Sequence, residues 1–208
     1  LYASASCNAW WGVNNPGVIK WGDKKQEDYV KACELMMTEL WSNYGPLTEI
    51  WFDGGVLSPK RGGPDLVSIM QKHQPDAVVF GGPGKHRIRW SGNESGVVKY
   101  PCWSTVRHSG DRQGRPDGKQ WCPAECDGKL PGGYSKWFWN RDKKFDMPDE
   151  EKQQSVLDAL MDKYYQSVGH NANLLLNAAP DTTGLVAESI VPHYVNFGKE
   201  IKRRFGKS

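Results

Sequence analysis

Cysteine is sparse: Cys7, Cys33, Cys102, Cys122 and Cys126 are the five in 208 residues. That is too few for a disulfide scaffold at this length, and the odd number leaves at least one unpaired within the chain. Cys122 and Cys126 stand in a Cys-x3-Cys spacing, but no second Cys/His pair of matching spacing follows, which argues against a zinc site. An excess of charge is lacking too, since 27 basic residues oppose 24 acidic ones for a formal net charge of +3. A field that weak gives no argument for nucleic acid or a membrane surface as a partner. The one basic cluster, Lys199, Lys202, Arg203 and Arg204, falls at the end of a helical pattern, where the negative helix C-terminus accounts for it. No apolar run approaches the roughly 18 residues of a membrane span. The chain opens on Leu1-Tyr2-Ala3-Ser4 without an initiator Met or a signal peptide. It therefore reads as a processed or truncated product whose compartment stays open. Internal repeats and low-complexity segments are absent.

Aromatic residues are abundant by contrast, with ten Trp, eight Tyr and six Phe inside a hydrophobic fraction of only 38%. Most of these rings belong in a core. An excess of Trp in a polar, Gly-rich chain also suits a sugar cleft, because indole offers an apolar face to the C–H side of a sugar ring and an N–H to its hydroxyls. The length fits one domain spanning 1–208. Tyr29, Val30, Cys33, Met36, Met37, Leu40 and Trp41 recur at steps of three and four and predict a helix over 27–41, stopped by Gly45-Pro46. Ile50-Trp51-Phe52 then predicts a short buried strand ending at Asp53-Gly54-Gly55. Pro64 in a first turn, with Leu66, Ile69 and Met70, predicts a second helix, and Ala77 to Phe80 another strand. Residues 81–133 read mainly as loop, with one or two short strands near Trp121 to Glu125. A stripe of Val156, Leu157, Leu160, Met161, Tyr164 and Tyr165, introduced by Pro148-Asp149-Glu150-Glu151, predicts a strong helix. A strand follows over Ala172 to Asn177, and a last helix carries Ile190, Val191, Tyr194 and Ile201.

Short apolar strands alternating with helices imply βα units and a parallel sheet. The expected fold is α/β, an incomplete (β/α)8 TIM-barrel-like catalytic domain, since a full barrel takes about 250 residues and five or six strands are countable. Such barrels place chemistry at the C-terminal ends of strands, where Asp53, Glu125 and Asn177 are expected. Cleaving a glycosidic bond generally takes two carboxyl groups, one to attack or activate water and one to protonate the leaving oxygen. Asp53 suits the first role: it follows an apolar strand flanked by Trp51 and Phe52 and precedes two glycines that open the backbone. The same Asp would serve equally as a turn cap. Glu94 and Glu125 compete for the second role. Glu94 lies in a loop beside the aromatic Trp90, and Glu125 could instead hold a sugar hydroxyl or orient a neighbouring side chain. Asn93-Glu94-Ser95 also matches an Asn-x-Ser glycosylation sequon, read as accidental because a glycan there would block the cleft.

These segments resemble one family. Tyr44 to Gly54, Arg89-Trp90 through Gly96, Pro123-Ala124-Glu125 and Tyr164 to Asn177 are similar, in the expected order, to blocks of the α-L-fucosidases of glycoside hydrolase family 29. The resemblance implies the C-terminal part of that family's catalytic barrel, with Asp53 as nucleophile. In the subgroup favouring branched α-1,3/1,4-fucosides, the acid/base is the Glu of an Arg-Trp-x-Gly-Asn-Glu block, which falls on Glu94, with Glu125 as the alternative. Trp51, Trp90, Glu125, Trp137 and Phe138 are the expected substrate contacts, the segment near Trp137 and Phe138 walling the fucose pocket. Neither a metal nor an organic cofactor is implied.

Two departures stand out: no His of this chain neighbours another, although the family carries an adjacent-His motif for fucose hydroxyls, and His170 stands where Arg is expected. The resemblance implies a double-displacement mechanism on a fucosylated glycan, with the two carboxyls about 5 to 5.5 Å apart. An incomplete barrel leaves strand edges unpaired, so either an N-terminal portion or a homo-oligomer is expected to complete it. The alternatives are an inert or fucose-binding remnant and a related glycosidase acting on a different sugar.

Overall fold

The computed structural model describes residues 5–82, 86–108, 110–133, 136–139 and 149–206. The chain divides into two compact units, Leu1–Trp90 and Ser91–Ser208.

In the first unit, β1 (Val13–Asn14) and β2 (Val18–Ile19) form an antiparallel hairpin. Helix α1 (Gln26–Ser42) follows and buries Tyr29, Cys33, Met37 and Trp41, one residue per turn along one stripe. Strand β3 (Glu49–Trp51), helix α2 (Leu66–His73), strand β4 (Val78–Phe80) and strand β5 (Arg87–Trp90) complete the unit. β3 pairs parallel with β4, and β4 parallel with β5. All three strands therefore run the same way, and the chain leaves each at the same edge. Ile50, Phe52 and Val79 pack with the α1 stripe and with Leu66 and Met70 of α2 in one core. Burying a side chain of this size contributes about 1.5 to 3 kcal/mol.

The turn from α1 to β3 is held by one side chain. Gln74, just past α2 and 5% exposed, accepts the Leu47 N–H on Oε1 at 2.8 Å. Its Nε2 donates to the carbonyls of Trp41 at 2.7 Å and Gly45 at 2.8 Å. Three backbone groups of a turn that leaves the helical ladder thus find partners inside the protein. Pro64, expected in the first turn of α2, precedes it instead, because Asp65 takes the capping position and its carboxylate accepts the Ser68 N–H at 3.2 Å.

In the second unit, β6 (Thr105–Val106) and β7 (Gln120–Trp121) pair antiparallel, and β8 (Ala124–Gly128) pairs parallel with β9 (Ala172–Leu176) over five residues. Helix α3 (Glu150–Ser167) is capped by Asp149, whose side chain accepts the Lys152 N–H at 2.8 Å. Pro148, expected to introduce it, lies outside the described residues. Helix α4 (Val191–Phe205) packs Phe197 against Val156, Leu160 and Met161 of α3. The long segment expected to be mainly loop, with one or two short strands near Trp121 to Glu125, holds four strands: β7 and the start of β8 fall where expected, β5 and β6 are additional, and β8 is buried at all five residues. The architecture is α/β with five parallel strands among the described residues, three in the first unit and two in the second. No helix among those residues is long and apolar enough to cross a membrane.

Two outcomes follow. Gln74→Leu leaves two carbonyls and one N–H without partners, so chemical denaturation should show a loss of about 3 kcal/mol. The second concerns His193 of α4, 2% exposed, whose pKa is lowered by burial from its ordinary 6.5. The unfolded chain takes up this proton before the folded one does, so the stabilisation is fully present above pH 6.5 and is lost as the pH falls below it. Unfolding free energies measured between pH 7 and 5 should fall less steeply in His193→Leu than in the parent.

Candidate active site

Asp53 is placed by backbone contacts. Phe52 donates its N–H to Phe80 O at 2.9 Å, which carries the β3–β4 ladder one residue beyond Trp51. Asp53 is the next residue and is exposed. Its carbonyl accepts the hydroxyl of Ser6, a residue only 2% exposed. The segment carrying Ser6 is anchored in turn by Tyr29 of α1, whose phenol donates to Ala5 O at 3.0 Å. Gly54 and Gly55 follow with φ of +70° and +79°, a region open to glycine at no steric cost. At Gly54 the space is closed as well, since a Cβ there would come within 2.7 Å of Asn15 Nδ2 and 2.8 Å of Ser6 Oγ.

Glu94 is placed differently. Ser91 donates its N–H to Glu125 O and Gly96 donates its N–H to Asp127 O, both at 2.8 Å. Residues 91–96 therefore arch along β8 with their two feet tied to it. The second foot needs glycine on both sides: Gly96 has φ +71°, and a Cβ on Gly128 would meet Gly96 Cα at 3.1 Å. Inside the arch, Asn93 Oδ1 accepts the Ser95 N–H at 2.9 Å and Asn93 Nδ2 donates to Val97 O at 3.1 Å. The amide nitrogen of the sequon is thus committed to the fold of the loop. Lys163 of α3, whose pKa is lowered by burial, donates to Ser95 O. Glu94 itself is exposed, and its Oε2 accepts the indole N–H of Trp137 at 3.0 Å.

Glu125, expected at the end of a strand, is instead the second residue of β8 and has no solvent exposure. Its Oε2 accepts Asn173 Nδ2 at 2.6 Å, across the register that pairs Glu125 with Asn173. Asn177 does stand where expected, directly after β9. Among the aromatic candidates, Trp51 is half-buried and stacks one face on Phe80, with centroids 3.9 Å apart and planes 9° from parallel. Trp90 closes β5 at 37% exposed, and Phe138 is 71% exposed. Trp137 is half-buried, with its N–H on Glu94 and Lys129 Nζ 5.4 Å from its ring centroid.

Within the second unit the fold thus joins Glu94 to Trp137 and Glu125 to Asn173. Neither pairing was predicted by the sequence. Asn173 carried one usable signal: it sits on a strand beside three leucines, where a lone amide points to a polar partner. The separation of 43 positions from Glu94 to Trp137 leaves no local signal at all. Among the described residues, no group of His, Cys, Asp and Glu could hold a metal ion. Cys126 of the Cys-x3-Cys pair is buried and donates to Asn173 O at 3.3 Å.

No family model matches the chain. It is 33% identical to alpha-L-fucosidase 1 of Arabidopsis thaliana over 80% of this chain and 34% of that protein. Among solved structures, a candidate α-L-fucosidase of Bacteroides thetaiotaomicron superposes with a TM-score of 0.79 at 34% identity, over 99% of this chain and 50% of that one. A family 29 fucosidase of Ruminococcus gnavus, solved in complex with fucose, gives a TM-score of 0.66 at 28% identity over 99% and 45%. The chain therefore spans about a third of the curated relative and about half of these solved structures.

The geometry at Gly54 gives a direct test of how Asp53 is placed. Gly54→Ala meets both a left-handed backbone and two occupied contacts, and should lower stability by about 2 kcal/mol or more in a denaturant titration. Gly45→Ala has a similar φ of +78° but open space around it, and should lose about half as much.

Proposed function

This chain belongs to the α-L-fucosidases of glycoside hydrolase family 29, and from that membership we propose that it carries both catalytic carboxyls of a retaining α-L-fucosidase, Asp53 as nucleophile and Glu94 as acid/base. Asp53 attacks the anomeric carbon of a terminal α-linked L-fucose and displaces the glycan oxygen, which takes a proton from Glu94. The deprotonated Glu94 then removes a proton from water, and the resulting hydroxide equivalent releases fucose from Asp53. Two inversions leave the configuration retained. The Arg89-Trp90-Ser91-Gly92-Asn93-Glu94 block favours α-1,3/1,4-linked fucose on branched glycans as the substrate. Trp90, Trp137 and Phe138 supply apolar faces around the sugar.

The observation that carries this reading is the contrast between the carboxyls. Asp53 and Glu94 are exposed and follow parallel strands, whereas Glu125 has no exposure and is tied to Asn173. A group that must give up a proton and take one from water in every turnover needs access to solvent. That favours Glu94 over Glu125 and leaves Glu125 a structural role. The five parallel strands support a (β/α)8 barrel that this chain fills in part. We propose that its remaining strands come from a further portion of a longer chain or from a second copy.

The test is release of nitrophenol from aryl α-L-fucoside, with aryl β-galactoside as the control for a different sugar. Asp53→Ala should lower kcat at least about a thousandfold. Added azide, standing in for the missing carboxylate, should restore consumption of the substrate and give the β-fucosyl azide. Turnover by neither the parent nor the variant would overturn the proposal and favour a fucose-binding domain without hydrolysis.

A further inference from the structure

Glu94 stands at the crown of an exposed arch, and its side chain has three rotatable bonds. Proton transfer to a departing oxygen needs one carboxyl oxygen within hydrogen-bonding reach and correctly aimed. The feet of the arch, tied through Ser91 and Gly96, fix the backbone but not this carboxyl. One described contact does orient it: the indole N–H of Trp137, which donates to Oε2 at 3.0 Å. From this geometry we infer that Trp137 and Asn177 are positioning residues for Glu94, the indole N–H holding one carboxyl oxygen so that the other faces the leaving group, and Asn177 holding the indole.

The role of Asn177 follows from what anchors Trp137. Residues 136–139 belong to no helix or strand, so the indole needs an anchor from elsewhere. Asn177 provides it: Nδ2 donates to Lys136 O at 3.0 Å and to Trp137 O at 3.2 Å. Asn177 is itself fixed on both sides. Its N–H donates to Gly128 O at 2.9 Å, and its carbonyl accepts the phenol of Tyr194 on α4 at 2.5 Å. Burial pushes that phenol up to about 12, so it remains a donor throughout the working pH range. The contacts run from α4 through the end of β9 and the Trp137 segment to the carboxyl. An Asn is required at 177 because both bonds to the carbonyls are donated; an Asp of equal size would put an acceptor against two acceptors.

Described charged groups near this contact include Lys129, whose Nζ lies 5.4 Å from the Trp137 ring centroid, and Lys163, which bonds Ser95 O. Neither occupies the indole N–H. The polar edge of Trp137 is thus committed to the protein, which leaves only its apolar surface for a sugar.

This inference rests on Glu94 as the acid/base, so its test has one arm that needs turnover and one that does not. In the first, kcat/KM is measured for aryl α-L-fucosides of differing leaving ability. Dinitrophenolate leaves without a proton, whereas phenol needs one, so a misplaced acid penalises the phenyl substrate selectively. Trp137→Phe keeps an aromatic ring and Asn177→Asp keeps the size. Each should lose about tenfold more on the phenyl than on the dinitrophenyl fucoside, the scale of one hydrogen bond. Equal losses on both substrates, or none, would overturn the inference, because a merely structural role acts on both alike. In the second arm, the chain carries 15N-labelled tryptophan, and the Trp137 indole resonance is assigned by its disappearance in Trp137→Phe. Glu94→Gln and Asn177→Asp should each displace that resonance, and its indifference to either would overturn the inference. Absence of turnover in the parent counts against the fucosidase reading alone, and the resonance then decides whether Trp137 positions Glu94.

Discussion

A carboxyl with no solvent exposure is the constraint around which the second unit is arranged. Glu125 lies in a strand buried along its whole length, and an unpartnered polar group there would cost several kcal/mol. The bond from Asn173 meets part of that demand, and it is available only in the register that sets Glu125 opposite Asn173. A slip of one residue would turn every side chain of β9 to the other face and set Glu125 opposite Ala172 or Leu174. Fixing this register also sets Asn177 at the level of Gly128, where the backbone bond between them is observed. Asn177 in turn holds the Trp137 segment, and Trp137 holds Glu94. The alternation of β8 thus sends Ala124 and Cys126 into a hydrophobic core and Glu125 to the opposite, equally buried face, while its backbone ties down the arch that carries Glu94.

The first unit solves the corresponding problem at Asp53 by other means. Its described contacts are with the main chain: Ser6 on the Asp53 carbonyl, Asn15 and Ser6 crowding Gly54, and Gln74 fixing the turn from which β3 starts. Fixing the main chain at Asp53 fixes where its side chain starts, which suits the proposed nucleophile, a group that must attack along one line. A group that donates and then accepts a proton needs its carboxyl aimed, and there a side-chain hydrogen bond is the more economical device.

The sequence revealed the elements whose own residues carry the signal. The stripes of α1 and α3, the leucines of β9 and the Ile-Trp-Phe run at β3 have the period of the structures they form. Strand β8 was expected only at its start, near Glu125, because Ala-Glu-Cys-Asp-Gly contains two acids and no β-branched residue, and its pairing with β9 carries it on to Gly128. β5 was hidden for a related reason: Arg-Ile-Arg-Trp alternates, but the arginine at 89 is the buried partner, at 6% exposed. Among the candidate site residues, the position of Asp53 after a strand was legible because strand, acid and two glycines adjoin. The anchoring of Glu94 was not, since its partners at 137 and 177 lie far along the chain and converge only after β8 and β9 pair.

The contrast between Glu94 and Glu125 shows why residue type alone left the acid/base open. Both are glutamates near aromatic residues, and both lie within blocks that resemble the same family. Their difference arises from secondary structure: one sits in an arch whose backbone bonds are made at its feet, the other in a strand with no face toward solvent. Exchanging a proton with water favours an accessible carboxyl, while a strand register is held most strongly where a face is buried. The same chemical group therefore suits the proposed catalysis in one place and architecture in the other, and the second role supports the first, because the arch stands on the backbone of the strand that Glu125 keeps in register.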